Sequence, residues 1–284
     1  MEKTHAVYST KTKIVRLIIW LFLAFVAIIT IFPVCYVIFG SFKDNKELLV
    51  GGSSILPSKW VFDNYVQAWK QANFATYTMN SVFLSLAVML ISLINASMAG
   101  YVFARKNFKG KELLYMLFVA FMFINVGSVS LRPLFELAVK LKMNKSLLAV
   151  AIISAGGGQA TFIFLCRGFV NSVPKELDEA AKMDGANSWQ LLKKVTIPMV
   201  MPSITICTFL TLTNSFKLFD QNLALTAGEP SNSSQMLALN IYETFYTRTG
   251  WEGAGQAKAV VFFIIVAVIA MLQNRLTRSK EVQQ

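Results

Sequence analysis

The sequence predicts an all-α polytopic membrane protein with six transmembrane helices, and two observations support this fold class. Hydrophobic residues make up 55% of the 284 residues, whereas charged residues make up only 15%. Soluble proteins average roughly 25% charged residues, and a soluble domain of this length could not bury so much apolar surface. The apolar residues also form runs of about 20, the helix length that crosses the roughly 30 Å hydrocarbon core of a bilayer.

Six apolar segments are long enough to cross a membrane. The first resembles a signal peptide because Lys11, Lys13 and Arg16 precede it, but its apolar run is too long and no small-x-small cleavage site follows. We therefore expect it to be a retained anchor helix. The predicted spans are Val15 to Phe39, Met79 to Ala104, Leu113 to Leu131, Leu147 to Cys166, Val200 to Leu218, and Ala259 to Gln273.

The distribution of basic residues predicts the orientation of these spans. Four of the seven residues from Arg105 to Lys111 are basic, whereas the loop from Gly40 to Thr78 has four basic residues in 39. Cytoplasmic loops carry the excess of Lys and Arg. We therefore expect a multi-pass protein of the cell membrane, with both termini and the connections 105–111 and 167–199 in the cytoplasm. The loops 40–78, 132–146 and 219–258 would then face outward.

Several classes of function are disfavoured by composition. The three cysteines, Cys35, Cys166 and Cys207, each lie in an apolar run without metal-ligand spacing, and His5 is the only histidine. A His-based metal site or a Ser-His-Asp triad within the apolar body is therefore not expected. The net charge of +12 would fit nucleic acid. However, the basic residues lie beside apolar segments, which favours topology over a binding surface, so no nucleic-acid partner is expected.

The connection between the fourth and fifth spans predicts two short helices. Ser172 is a plausible N-cap, and Pro174 suits a first helical turn. Acidic residues then lie near the positive end of the helix dipole, and Gly185 is a typical helix end. Asn187 or Ser188 could cap a second helix reaching Lys194. The spacing i, i+3, i+4, i+7 places four residues on one narrow face of the first helix, namely Leu177, Ala180, Ala181 and Asp184.

Two interpretations of this helix pair follow from physics alone. A face of small residues lets another protein approach closely, as in the docking of a helix in a groove. The alternative is an amphipathic connector that rests on lipid headgroups. The acidic residues Glu176, Asp178 and Glu179 disfavour the alternative, because cytoplasmic leaflets are usually anionic.

A longer pattern in this segment resembles a known motif. Glu179-Ala180-Ala181, three residues, Gly185, nine residues and then Val195-Thr196-Ile197-Pro198 resembles the EAA motif, E-A-A-x3-G-x9-I-x-L-P, of binding-protein-dependent ABC importer permeases. Val195 and Ile197 replace the Ile and Leu of the motif, which are mild aliphatic changes. The glutamate, both alanines, the glycine and the proline are in register.

The resemblance covers residues from about 14 to 280 and is strongest to carbohydrate permeases of the maltose-transporter MalG type. It rests also on the stretches 80–105, 219–223, 240–242 and 255–257. It implies a MetI-like permease fold with a cytoplasmic coupling helix. The implied layout is an N-terminal cytoplasmic tail (1–14), a first transmembrane helix with an extracellular loop (15–78), a core permease domain (79–273) that includes the EAA coupling loop (168–199), and a C-terminal cytoplasmic tail (274–284).

The same resemblance implies partners and an energy source. The family's coupling helix docks in a groove of a cytoplasmic ABC ATPase dimer, the permease pairs with a second permease subunit, and an extracellular solute-binding protein delivers sugar. The chain has no G-x-x-x-x-G-K-[ST] motif, so ATP and Mg are expected on the ATPase. The chain itself is expected to be neither an enzyme nor a cofactor carrier. The implied coupling residues are Glu176, Glu179, Ala180, Ala181, Asp184, Gly185 and Pro198.

The substrate path is expected among polar residues within the spans, because such residues usually face a partner helix or a wet cavity. The candidates are Asn95, Asn125, Gln159, Asn214 and Lys217, with Asp220 at the outer edge. A sugar needs hydrogen bonds and an aromatic face, which Asn214, Phe216, Phe219 and Asp220 could supply. The alternative is helix–helix hydrogen bonding and lipid-facing Phe. The run Gly156 to Gly158 indicates close helix packing or a local break in the fourth span.

Other transport functions remain open from the sequence. An importer permease for a non-sugar solute, such as an amino acid, phosphate or metal, is one alternative. A standalone channel or secondary transporter is another, and it would be active without an ATPase. The sequence does not identify the sugar.

Overall fold

The protein is described here by a computed structural model, which covers residues 10–50, 54–70, 73–124 and 127–278. All regular secondary structure within these ranges is helical, so the all-α prediction is confirmed. The chain divides into two compact units. The first comprises residues 1–68 and 244–260, and the second comprises residues 69–243 and 261–284.

The first unit contains one long helix and two short ones. These are α1 (Thr10–Gly40), α2 (Asn45–Val50) and most of α3 (Asp63–Lys70). The apolar side chains of α1 between Ile14 and Phe32 are exposed on all sides within this chain. A helix that is apolar all round and unburied requires an apolar surrounding such as lipid or another chain.

Polar contacts hold the loops of the first unit together. The buried Asn64 amide donates to the carbonyls of Ser41 and Lys43, both at 2.9 Å. The Asn45 amide donates to the Gly250 carbonyl at 2.6 Å and accepts from the Gly253 N–H at 2.8 Å. A Cβ at Gly253 would lie 2.5 Å from Asn64 Nδ2, so any other residue there would displace the Asn64 amide.

The second unit is a bundle around one long helix, α4 (Phe74–Arg105). After α4 come α5 (Lys111–Phe123), a 3-10 turn (Gly127–Ser130), α6 (Leu131–Lys140), α7 (Leu147–Gly156), α8 (Gln159–Ser172), α9 (Lys175–Met183), α10 (Ser188–Leu191), a π turn (Leu192–Thr196), α11 (Ile197–Met199), α12 (Met201–Phe216), α13 (Asp220–Leu225), α14 (Leu237–Tyr246) and α15 (Glu252–Arg278). The ends of α14 and α15 nearest residue 250 belong to the first unit.

Small residues on α4 allow neighbouring helices to approach closely. Ser92 Oγ donates to the Ala155 carbonyl of α7 at 3.4 Å. At Gly100, an added Cβ would lie 2.5 Å from the Cβ of Cys166 on α8. Small residues at such crossings replace hydrophobic driving force with close van der Waals contact, as is typical of helices in membranes.

Fewer helices than the six predicted spans meet the length and hydropathy of a membrane crossing among the described residues. Among the described residues, three helices are long and apolar enough to cross a membrane, within α1, α4 and α15. Two bent pairs, α7–α8 and the 189–216 segment, raise the number to five if each pair is one span. The predicted span Leu113 to Leu131 is replaced by α5, whose 13 residues reach only about 20 Å at 1.5 Å per residue. Its helix ends where Ile124 turns extended.

Both bent pairs have identifiable causes. Between α7 and α8, the chain turns by 53° at Gly157 and Gly158, and Gly158 has a φ of +71°. The break predicted for this glycine run is therefore present. The second bend, of 72°, lies between Met199 and Met201, next to Pro198 and Pro202. Proline removes a helical hydrogen bond and is a common cause of kinks.

Candidate functional site

The loop 168–199, which carries the EAA-like pattern, is called the EAA loop from here on. Its first helix is α9, and it begins after two extended residues, Val173 and Pro174. The prediction that Ser172 is the N-cap is wrong. The helix α8 continues through Ser172, whose hydroxyl donates to the Phe169 carbonyl at 2.8 Å. Pro174 instead occupies the N-cap position, without a side-chain hydrogen bond.

The C-terminal end of α9 agrees with the prediction that Gly185 ends the helix. Gly185 has a φ of +81°, a conformation that suits glycine because it has no Cβ. Its N–H donates to the Lys182 carbonyl at 3.0 Å, and the Ala186 N–H donates to the Ala181 carbonyl at 2.9 Å. This pair of bonds is the Schellman arrangement, which satisfies the last carbonyls of a helix.

The second helix of the EAA loop begins with a reciprocal pair of bonds. The Gln190 N–H donates to Asn187 Oδ1 at 2.8 Å, and the Asn187 N–H donates to Gln190 Oε1 at 2.9 Å. Asn187 is therefore the cap, which confirms one of the two predicted alternatives, Asn187 or Ser188. Gln190 completes a capping box. The helical segment continues past the predicted end at Lys194, because the π turn and α11 extend it to Met199.

Most of the predicted coupling residues are exposed. They are Glu176, Glu179, Ala180, Asp184 and Gly185, while Ala181 and Pro198 are half-buried. Two large apolar side chains of the loop are also exposed, Met183 at 89% and Trp189 at 68%. The EAA loop therefore presents small, acidic and apolar groups together on a surface that this chain does not cover.

An arginine that sequence reasoning did not select holds α9 in place. Arg105, the last residue of α4, donates from Nη2 to the Val173 carbonyl at 2.8 Å. Its Nε lies 3.4 Å from Asp178 Oδ2, with side chains only 9% and 14% exposed. The two partners are about 70 positions away in the sequence, so no local spacing indicated the contact.

A second arginine lies beside the start of α5. Arg167 of α8 lies 3.4 Å from the carboxylate of Glu112, at the start of α5. Its guanidinium also stacks 3.5 Å from the centre of the Tyr115 ring, a favourable cation–π geometry. The Glu112 side chain is 66% exposed, so water screens this ion pair more than the Arg105 pair.

The substrate-path candidates are divided by burial. Asn214, Lys217 and Asp220 are exposed at the end of α12 and the start of α13. Phe216 is only 1% exposed, so its ring has no face open to a ligand in this structure. Its burial follows from its position on the side of α12 that packs inside the bundle, together with the buried Leu212.

An aromatic pair lies beside these polar groups. The ring centre of Phe219 lies 5.0 Å from that of Tyr242 on α14, at an angle of 57°. Tyr242 is 43% exposed and was not among the predicted site residues. Its position in a short amphipathic helix gave no signal, because only tertiary packing brings α14 next to Phe219.

The remaining candidates lie elsewhere or cannot be placed. Asn95 is exposed on α4. Gln159 is half-buried, and its amide donates to the Ala155 carbonyl one turn earlier. Asn125 lies outside the described residues. Among the residues that the structure describes, no three His, Cys, Asp or Glu side chains lie close enough to hold a metal ion.

A buried amide organises the loop between α13 and α14. Asn222 is fully buried, and its Nδ2 donates to Thr226 Oγ1 and to the Ser234 carbonyl, both at 2.9 Å. Its Oδ1 accepts from the Met236 N–H at 2.9 Å. The side chain thus fixes both ends of this loop, beside the exposed Asp220.

Comparison with known families identifies the class of protein. The model of the binding-protein-dependent transport system inner membrane component matches residues 96–282. This match covers more than half of the chain and includes the whole EAA loop. The chain therefore belongs to this family of membrane permeases, which agrees with the multi-pass architecture.

Two curated relatives are named as sugar-transport permeases. AraQ of Halalkalibacterium halodurans, an arabinooligosaccharides transport system permease protein, is 32% identical over 199 residues, which cover 69% of this chain and 70% of that protein. AmyD of Thermoanaerobacterium thermosulfurigenes, a probable starch degradation products transport system permease protein, is 51% identical over 115 residues. That match spans 40% of this chain and only 39% of the relative's length.

A solved structure shares the fold over nearly the whole chain. It is a chain of a bacterial ABC transporter involved in the import of the acidic polysaccharide alginate, with a TM-score of 0.78. The alignment covers 94% of this chain and 98% of that chain at 21% identity. The likeness confirms the expected ABC permease fold.

Proposed function

We propose that the protein is the permease subunit of an ABC importer that moves a sugar or oligosaccharide into the cell. A separate ATPase dimer on the cytoplasmic side drives the transport through α9. A second permease subunit completes the membrane pathway, and an extracellular solute-binding protein delivers the sugar. The chain supplies the pathway and the coupling helix and carries out no hydrolysis itself.

One observation carries the coupling role. The E-A-A-x3-G pattern forms a regular helix, α9, which ends in a Schellman arrangement at Gly185. Its Glu176, Glu179 and Ala180 side chains are exposed. Exposed helices with small and apolar side chains are suited to dock in a groove of a partner. The alternative of a lipid-resting connector is disfavoured, because Glu176, Glu179 and Asp184 would face anionic headgroups.

The sugar class is supported by the relatives and by the residues at the end of α12. AraQ is named for arabinooligosaccharides and AmyD for starch degradation products. The exposed Asn214 and Asp220 supply hydrogen-bond groups, and the Phe219–Tyr242 pair supplies aromatic faces. A sugar requires both kinds of contact, since its hydroxyl groups are polar and its C–H surface is apolar.

The mechanism follows from a two-state equilibrium of the spans. ATP binding closes the ATPase dimer, and each permease follows through the helix docked on it. That movement shifts the spans from inward-open to outward-open, because a partner shifts an equilibrium by its difference in affinity for the two states. The binding protein then releases its sugar into the cavity, and hydrolysis resets the spans.

Reconstitution tests this function. The chain, the second permease and the ATPase are placed in liposomes with ATP inside, and uptake of labelled oligosaccharides is measured with the binding protein outside. We expect uptake that requires ATP, the ATPase and the binding protein. Uptake without any ATPase would show a channel or secondary transporter instead. ATP-dependent uptake of an amino acid, phosphate or metal, but not of sugars, would show an importer for another solute.

A further inference from the structure

Two residues connect α8 to α9, and a side chain from α4 contacts this connection. Between α8 and α9, only Val173 and Pro174 are extended, with ψ of 120° and 137°. Such a two-residue link between helices is a natural hinge, because a few residues at element ends can absorb large changes of backbone angle. Without another connection, α9 could turn without moving α8.

Arg105 contacts both the hinge itself and the helix that follows it. Its Nη2 binds the carbonyl of Val173, on the α8 side of Pro174, at 2.8 Å. Its Nε lies 3.4 Å from Asp178 Oδ2, in the first turn of α9. Arginine suits such a bridge, since its planar guanidinium presents several donors in a fixed arrangement.

The end of α4 that carries Arg105 is packed directly against α8. Arg105 is the last residue of α4, and five positions earlier Gly100 brings α4 into direct contact with Cys166 of α8. The arginine side chain is 9% exposed and that of Asp178 is 14% exposed. An ion pair at this burial is weakly screened by water, and removing one partner leaves a poorly solvated charge.

We propose that Arg105 is a positioning residue that locks the hinge between α8 and α9, so that α9, α8 and α4 move as one body. The proposal rests on the proposed function, in which α9 is the part moved by the ATPase. Docking of α9 depends on its exposed groups, whereas Arg105 and Asp178 transmit the movement to the spans. The two roles are therefore separable by mutation.

The test uses the assembled transporter in proteoliposomes. The variants are Arg105→Ala, Asp178→Ala and the double variant, with Arg105→Lys and Asp178→Asn as milder changes in case an alanine variant fails to insert. Glu112→Ala is the matched control, because it breaks an ion pair of the same 3.4 Å separation near the same helix ends but with a 66% exposed carboxylate. Co-purified ATPase, ATP hydrolysis and sugar uptake are measured for each.

We expect Arg105→Ala to retain the ATPase subunits while sugar taken up per ATP falls about tenfold, within the usual size of coupling between sites. The double variant should lose no more than Arg105→Ala alone, because the two residues act through one contact. Uptake per ATP in Arg105→Lys should fall between those of the unmodified transporter and Arg105→Ala, since an ammonium keeps the charge but cannot reach the Val173 carbonyl and Asp178 with the fixed geometry of a guanidinium.

Each other outcome overturns a distinct statement. If the losses of the two alanine variants multiply in the double variant, or equal that of Glu112→Ala, the hinge lock is wrong. If Arg105→Ala loses the ATPase subunits altogether, Arg105 serves docking and not transmission. If the unmodified transporter shows no ATP-dependent uptake of any solute, the proposed function fails, independently of Arg105.

Discussion

The α9 helix and the α12–α14 region both expose polar side chains, but different interactions hold them. At α9, the helix end and the following cap involve residues that are three to five positions apart, such as Gln190 with Asn187 and Ala186 with Ala181. In the α12–α14 region, Asn222 binds the Ser234 carbonyl 12 positions away, and Phe219 meets Tyr242 on another helix.

This difference distinguishes α9, proposed to dock on a partner, from the α12–α14 region, proposed to bind sugar. The C-terminal end of α9 and the cap that follows it are determined locally, although the start of α9 also contacts the distant Arg105 of α4. The α12–α14 region depends on the whole bundle, because its groups converge only after folding. Changes in α9 should therefore affect coupling to the ATPase without changing sugar affinity, whereas changes near Asp220 should affect sugar affinity without changing ATPase binding.

The largest effect is expected from reversing a charge on α9. Glu179→Lys should reduce ATP-driven uptake at least about 100-fold while membrane insertion stays normal, because opposed like charges at an interface cost several kcal/mol. Uptake in proteoliposomes and the amount of protein in membranes check this. The control is Glu136→Lys on α6, where the glutamate is 60% exposed. Equal loss in both variants would mean that the effect of the charge is not specific to α9.

A bulky residue at Gly185 should produce the next largest effect. Gly185→Trp adds a side chain on the exposed side of the EAA loop, and we expect at least about a tenfold loss of ATPase co-purification, since overpacking costs roughly 1–3 kcal/mol. Gly110→Trp is the matched control. Both glycines have nearly the same φ, +81° and +83°, and both have open space around an added Cβ. The backbone strain is thus equal, and only docking differs.

A change in the α12–α14 region tests the same comparison from the sugar-binding end. Asp220→Asn removes a charge-assisted acceptor, and the KM for sugar uptake should rise about tenfold with ATPase co-purification unchanged, because such bonds contribute roughly 1.5–3 kcal/mol. Glu229→Gln, an exposed carboxylate of the following loop, is the control. A fall in the maximal rate at unchanged KM would assign Asp220 to the conformational step instead.

The smallest effect is expected on stability. Asn222→Ala removes the acceptor of the Met236 N–H, and one unpaired buried donor costs roughly 1–3 kcal/mol. The apparent midpoint of thermal unfolding in detergent should fall by several degrees. Asn214→Ala, at an exposed position of α12, should leave the midpoint unchanged. Equal shifts would mean that the Asn222 contacts do not organise this region.

Much of the architecture was accessible from the sequence because it depends on local patterns. Runs of apolar residues located α1, α4 and α15, and the glycine run located the break before α8. The Gly185 end and the Asn187 cap followed from residue types at helix ends. The spacing of the EAA-like motif predicted the family, which the match over residues 96–282 confirms.

Other features of the structure depart from what the local pattern predicts. The segment 113–131 is apolar enough for a span, yet its helix stops at Phe123 and Gly127 adopts a φ of +56°. Ser172 is a good N-cap by residue type, but α8 extends over it. The burial of Phe216 is not apparent from its residue type. The contacts of Arg105 and Tyr242 join residues that are far apart in the sequence.

Crosslinking from α9 tests the central claim most directly. A photo-crosslinking amino acid at Met183, which is 89% exposed, is compared with the same amino acid at Val129, which is 78% exposed, in cells that express the whole transporter. The account predicts a crosslink to the ATPase subunit from position 183 and none from position 129. A crosslink from position 183 only to extracellular protein or to lipid would contradict it.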